Sequence, residues 1–311
     1  MKKENRKMYH AGTVGIIGFP NVGKSTLINF LIGEKISIVS EKPQTTRRRI
    51  IGIASEPEFQ IVFYDAPGIV KSETGINSYL GLEVEDILIM SDVNIVTVSL
   101  DLESFELVEE TIAKAKKSKK PWLIIANKAD LTEYENRLDK IRARAKEEGV
   151  PFLSVSLKEA QKKNKKETRL EILNAIAALL PESPEPLFDP AQFTLETERS
   201  MVAEIIREKC FELLKHEIPY QMAVRVVQFD ETKKIPHIYA EILVGKDNHK
   251  SIVIGKAAEM LKQIGMKARK DIEKLLGSAV YLELKVVHKA DWYENPRLMK
   301  ELGYETNKTS R

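Results

Sequence analysis

A single cysteine, Cys210, occurs in the whole chain, so no internal disulfide can staple the fold. Its setting in "CFELL", within a helical pattern, reads as a small buried side chain, which fits a reducing cytosol. Long hydrophobic runs are missing as well. No stretch approaches the roughly 18 apolar residues of a membrane span, and the charged start "MKKENRKMYH" is not followed by the apolar segment of a secretory signal. Export and membrane insertion are therefore not expected. Charge of one sign is also lacking, since 49 Lys and Arg face 46 Asp and Glu for a net charge of +3. Any affinity for a polyanion has to come from local clustering. The five histidines (His10, His216, His237, His249, His288) show no metal-ligand spacing and read as structural. What is present is 311 residues, 43% of them hydrophobic, enough for about two globular domains with ordinary cores.

From Thr13 to about residue 180, short β-branched runs alternate with amphipathic stretches. "TVGIIGF", "RIIGIAS", "FQIVFYD", "VNIVTVSL", "WLIIAN" and "VPFLSVS" are the predicted strands, and "SFELVEETIAKAKKS" and "YENRLDKIRARAKEEG" are typical predicted helices. Such alternation favours an α/β domain with a mostly parallel sheet, helices on both faces and ligands at the carboxyl ends of strands. Only "EPE" separates "RIIGIAS" from "FQIVFYD", which predicts one antiparallel pair at the sheet edge. "LPESPEPLFDP" holds four prolines in eleven residues and can be neither helix nor central strand. The expected organisation is a first domain over 1–180, a linker over 181–195 and a second domain over 196–311 that ends in a tail. In the second domain the pattern predicts a helix from about 196 to 216, two strands, two helices broken near Gly265, and a last strand "AVYLELKVVH", a compact α+β arrangement.

"GFPNVGKST" lies between a predicted strand and a predicted helix. Gly18, Gly23, Lys24 and Ser25 have the G-x-x-x-x-G-K-[ST] spacing of a phosphate-binding loop. Gly23 lets the backbone wrap the phosphates, and the amides of the loop from Gly18 through Asn21, Val22 and Thr26 surround them. Lys24 reaches the β- and γ-oxygens, and the Ser25 hydroxyl can ligate Mg²⁺. "IVFYDAPG" ends the third strand with Asp65, placed to hold the metal through water, and with Gly68, whose amide is free for a γ-phosphate. In "LIIANKAD", Asn127, Lys128 and Asp130 follow an apolar strand. A carboxylate there can accept both the ring N–H and the exocyclic amine of guanine. Adenine offers no such pair, and an unpaired carboxylate would cost about 1–3 kcal/mol. The nucleotide read from these motifs is GTP, or GDP after hydrolysis.

These motifs resemble those of the translation-factor-related GTPases, and "KPQTTRRRIIGI" resembles the switch segment of the Era family within the TrmE–Era group. The likeness continues through "EIPY", "ARKDIEKLLG" and "DWYENPRLMKELGY", nearly the whole chain. It implies that a switch threonine closes onto Mg²⁺ and the γ-phosphate, with Thr46 the first choice and Thr45 the alternative. Many regulatory GTPases orient the attacking water with a glutamine after the D-x-x-G glycine. Ile69 stands there and cannot hydrogen-bond, so unassisted turnover is expected on the order of minutes to hours. Asn21 resembles the loop asparagine that helps bind K⁺ in related GTPases; the other reading is that it tolerates an unusual backbone angle. Lys24, Asn21, Thr46 and Gly68 form the expected catalytic set. In the guanine loop "SVSLKEAQ", Ser156 and Leu157 stand in for the family's Ser-Ala, and Ala160 replaces a glycine.

"SIVIGKAAEMLKQIG" resembles the core of a KH domain, and the order of elements matches its type II form. From Gly245 to Lys289 there are ten Lys and Arg against five Asp and Glu, which points to single-stranded RNA. The expected contacts are Ile254, Gly255, Lys256, Ala257, Ala258, Lys262, Arg269 and Lys270. Ala258 stands where the G-x-x-G turn has its second glycine, tolerable if the backbone there is helical; the other reading is a KH-like fold kept for packing. The Era resemblance implies binding to the 3′ region of 16S ribosomal RNA and a role in maturation of the 30S subunit. It also implies a cytoplasmic location with weak peripheral association at the inner face of the membrane. A nucleotide-driven RNA remodeller and an RNA-binding module with structural GTP are the alternatives.

Overall fold

The computed structural model describes residues 8–40, 42, 45–69 and 76–304. Pro43 and Gln44 of the expected switch segment, and the expected tail beyond Tyr304, lie outside the described residues. The described chain forms two units, one of residues 8–37, 46–69 and 80–195, the other of residues 38–40, 42, 45, 76–79 and 196–304.

From the amino end the elements run β1 (Tyr9–Ile17), α1 (Lys24–Ile32), β2 (Ile50–Glu56), β3 (Phe59–Asp65), α2 (Ile76–Met90), β4 (Val93–Ser99) and α3 (Glu106–Lys117). They continue with β5 (Trp122–Asn127), α4 (Glu135–Glu148), β6 (Phe152–Val155), α5 (Leu157–Lys163), α6 (Lys165–Ala177) and the short β7 (Glu182–Ser183). The sheet order is β2-β3-β1-β4-β5-β6. Its pairs are parallel except β2 with β3 at the edge, and β7 adds an antiparallel pair to the start of β1. Every residue of β4 and β5 is buried, as expected of parallel strands covered on both faces. Strand alternation sends Ile16 into an apolar cluster with Leu27 and Phe63, and Ile17 into a second cluster with Val96 and Ile141. The register pairs Ile16 with Asp65, Ile17 with Val96 and Ser99 with Asn127. The parallel strands therefore deliver Gly18, Asp65 and Asn127 to one end of the sheet.

β1 starts at Tyr9, ahead of the expected Thr13, because Tyr9 and His10 pair with Ser183 and Glu182 of β7. The proline-rich segment is bonded along the first unit. Phe188 exchanges two hydrogen bonds of 2.9 Å with the Gln60 side chain, Ile53 N–H donates to Phe193 O at 2.8 Å, and Thr194 bridges Gly52 on the outer edge of β2. The segment is a strap across the sheet edge, held by backbone groups that its prolines leave available.

The second unit contains α7 (Glu198–Leu213), β8 (Met222–Asp230), β9 (His237–Val244), α8 (Asp247–Ile254), α9 (Glu259–Leu276), β10 (Tyr281–His288) and α10 (Pro296–Glu301). β9 lies between an antiparallel β8 and a parallel β10. Val202, Ile206, Ile242, Val253, Ile264 and Ile272 share its core. The helix break expected near Gly265 is not there: α9 runs through Gly265, and the interruption is at Gly255–Ala258. Buried Ile264, Ala268 and Ile272 hold the helix to the sheet on either side of Gly265, so packing overrides the weak helix preference of one glycine. In the same unit the Lys42 ammonium donates to the carbonyls of Phe211 and Leu214 at the end of α7, where a cation meets the negative end of the helix dipole.

Candidate functional site

The loop between β1 and α1 is shaped by close approaches that exclude side chains. A Cβ on Gly18 would sit 2.3 Å from Thr97 O, and one on Gly23, where φ is 99°, would sit 2.2 Å from Asn127 Nδ2. Asn21 has φ 64°, a left-handed conformation that Asn tolerates better than most residues. Lys24 is buried and its ammonium donates to Gly18 O and Phe19 O, each at 3.0 Å. Burial lowers its pKa to about 8, opposed by the charge of Asp65. Val22 is buried beneath the loop, while Ser25 and Thr26 open the first turn of α1.

Around Asp65 the hydroxyls converge. Ser25 Oγ donates to Asp65 Oδ2 at 2.8 Å and lies 2.9 Å from Thr46 Oγ1; Ser37 Oγ donates to the same carboxylate oxygen at 2.6 Å. Thr46 is buried and Thr45 is not, and it is Thr46 whose hydroxyl meets Ser25. Burial pushes the Asp65 pKa up, against hydrogen bonds from Ser37, Ser25 and Thr46 and the charge of Lys24. Its Oδ1 is buried with no hydrogen-bond partner. An orphaned carboxylate oxygen beside two hydroxyls is a hard, all-oxygen donor set, which suits Mg²⁺. Gly68 packs on the loop, since a Cβ there would meet Pro20 Cγ at 2.9 Å. The Ile69 side chain is buried in the apolar cluster with Ile17, Phe19 and Val22, and its N–H donates to Gly18 O at 3.1 Å.

Asn127 joins three segments. Its Nδ2 donates to Val22 O at 3.0 Å and its Oδ1 accepts from Leu157 N–H at 3.3 Å. Lys128 adopts φ 62° and its ammonium meets Asp101 at 2.7 Å. Asp130 is exposed in the turn after β5. Ser156 caps α5 by accepting from Glu159 N–H at 3.2 Å. The "SVSLKEAQ" segment is thus a capped helix start, with Ala160 buried inside it rather than a glycine-bearing loop. Ser37 and Asp101 are site neighbours that carry no motif spacing, and nothing in the sequence alone singles them out.

In the second unit Gly255 (φ 75°), Ala257 (φ 50°) and Ala258 (φ 61°) form the turn between α8 and α9. The backbone at Ala258 is left-handed, not the helical conformation that would accept a methyl group without strain. Ile254 is half-buried at the end of α8, whereas Lys256, Lys262, Arg269 and Lys270 are exposed along the turn and α9. Exposed Ile252 and Met266 flank them, apolar surface that the sequence reading did not single out.

A phosphate loop, a buried magnesium-type carboxylate and an N-K-x-D turn at one sheet end define a P-loop GTPase domain, and the second unit is a KH domain. Residues 13–128 match the family profile described as a 50S ribosome-binding GTPase, and residues 217–292 match that of the KH domain. The GTPase Era of Geotalea daltonii is 40% identical over 96% of this chain and 99% of its own length. That of Coxiella burnetii is 38% identical, covering 96% and 99%. Two solved Era structures superpose over 96% of this chain and 100% of theirs. One is an Aquifex aeolicus Era variant bound to GDP·AlF4⁻ (32% identity, TM-score 0.86). The other is Era in complex with MgGDPNP and nucleotides 1506–1542 of 16S ribosomal RNA (34% identity, TM-score 0.87). The chain belongs to the Era family of GTPases.

Proposed function

We propose that this chain hydrolyses GTP to GDP and phosphate and uses the nucleotide state to govern binding of the 3′ region of 16S ribosomal RNA during maturation of the 30S subunit. The observation that carries the reading is the convergence of Ser25, Thr46 and Asp65, with an orphaned Asp65 oxygen, beside the Gly18–Ser25 loop. Mg²⁺ bound there would neutralise charge on the β- and γ-phosphates.

In this reading the loop amides and Lys24 would hold the phosphates, Ser25, Thr46 and Asp65 would hold the metal, and the Gly68 amide would serve the γ-phosphate. Asp130 reads guanine on a surface braced by Asn127, Lys128, Ser156 and Leu157. Ile69 is engaged in the core and supplies nothing to the attacking water, so charge compensation falls to a cation beside Asn21. K⁺ in place of Na⁺ should therefore speed single-turnover hydrolysis, and equal rates would remove the cation from the mechanism. Asp130→Asn should shift preference from guanosine to xanthosine nucleotides; unchanged GTP selectivity would overturn the base assignment.

Residues 38–40, 42 and 45 precede Thr46 and belong to the second unit, which supports a route from metal ordering at Thr46 to the KH domain. The turn Gly255–Ala258 with Ile254, Lys256, Lys262, Arg269 and Lys270 is the proposed RNA surface. We divide the chain functionally into a GTPase domain over 1–180, a linker over 181–195 and a KH domain from 196, and place it in the cytosol. Among the described residues no helix is long and apolar enough to cross a membrane, and the peripheral membrane association rests on the resemblance alone.

A further inference from the structure

We infer that Ser37 is a positioning residue for the Asp65 carboxylate, and that Asn29 is the clamp that makes it one. Asn29 lies in α1, one turn beyond Ser25. Its Oδ1 accepts from Ile36 N–H and Ser37 N–H, both at 2.9 Å, and its Nδ2 donates to Ser37 O at 2.8 Å. One amide side chain thereby fixes the backbone on both sides of Ser37. The hydroxyl of Ser37, a residue only 3% exposed, then donates to Asp65 Oδ2 at 2.6 Å.

That oxygen already accepts from Ser25, and the two bonds come from different segments, one on the helix and one on the loop after it. Together they fix the rotation of the carboxyl group, and Oδ1 is the oxygen left without a partner. A carboxylate held through one oxygen by donors from separate segments presents the other in a set direction at no further ordering cost. The loop α1–β2 thus contributes to the metal site at two positions: Thr46, and Ser37 acting through Asp65.

This inference rests on the guanine-nucleotide and Mg²⁺ reading of the site. The test is the release rate of a fluorescent GDP analogue from the full chain as Mg²⁺ is titrated, with chelator as the metal-free limit. Ser37→Ala should raise the Mg²⁺ concentration that half-maximally slows release by about tenfold, the effect of one hydrogen bond to a charged group, and leave release in chelator at the wild-type rate. Asn29→Ala should give a shift of the same size, and the double variant should add nothing to it, as expected of two residues in one chain of action. A wild-type half-point in Ser37→Ala, or release accelerated as much in chelator as in Mg²⁺, would overturn the positioning role. Release from the wild-type chain that ignores Mg²⁺ would instead overturn the metal reading beneath it.

Discussion

Ala258 occupies a left-handed conformation, φ 61° and ψ 19°, at the entrance to α9. An L-residue there costs about 1–2 kcal/mol, while glycine would lose about 0.4–1 kcal/mol more entropy on folding. Ala258→Gly should therefore stabilise the protein by about 0.5–1 kcal/mol, read as a higher urea midpoint with an unchanged slope. A lower midpoint would mean that the turn is not strained at this position. The same scale shows what spacing motifs reveal and conceal. Gly18, Gly23, Lys24, Ser25, Asp65 and Asp130 stand out in the sequence because the proposed phosphate and guanine chemistry needs those residue types at fixed offsets. The role of Asn127 in joining Val22 to Leu157 is not legible, since both contacts are to backbone atoms that any residue would offer. Asn29 is hidden for the same reason, and Ser37 because its carboxylate partner lies 28 residues away with no motif spacing to link them.

At the scale of elements, legibility follows burial. β3 and β5 have the bounds their apolar runs predict, Phe59–Asp65 and Trp122–Asn127, because each is flanked abruptly by turn residues and buried throughout or nearly so. α9 was open to misreading because Gly265 suggests a break by propensity alone, whereas side chains one residue before it and three after it are buried against the sheet. A Cβ at Gly265 would meet only Leu284 Cδ1, at 3.6 Å, an ordinary contact. Gly265→Ala should accordingly raise stability by about 0.5–1 kcal/mol, the helix-interior difference between the two residues. Thermal denaturation of the full chain checks this, and a loss of stability would show that α9 needs flexibility at that point.

For the whole molecule, the proposed nucleotide site and the proposed RNA surface belong to different units, and the proposed coupling is a property that neither alone could supply. Crosslinking of the full chain to ribosomal RNA should give different yields in the GTP-loaded and GDP-loaded states, with crosslinks concentrated at residues 254–270. Equal yields would leave two independent binding activities on one chain. The proline-rich segment is conspicuous in the sequence, but its binding to the first sheet is not legible there. It depends on backbone pairing with Ile53 and Gly52 and on the Gln60 side-chain amide, which leave no mark in composition.

The strap has a consequence in time. The bond from Thr194 to Ile51 spans 143 residues of sequence. During synthesis at about 5–20 residues per second, the outer edge of β2 would stay uncovered for roughly 7–30 s after it emerges. An apolar strand with open backbone groups is a template for pairing with other chains. The newborn protein passes through that interval before it can close its own edge.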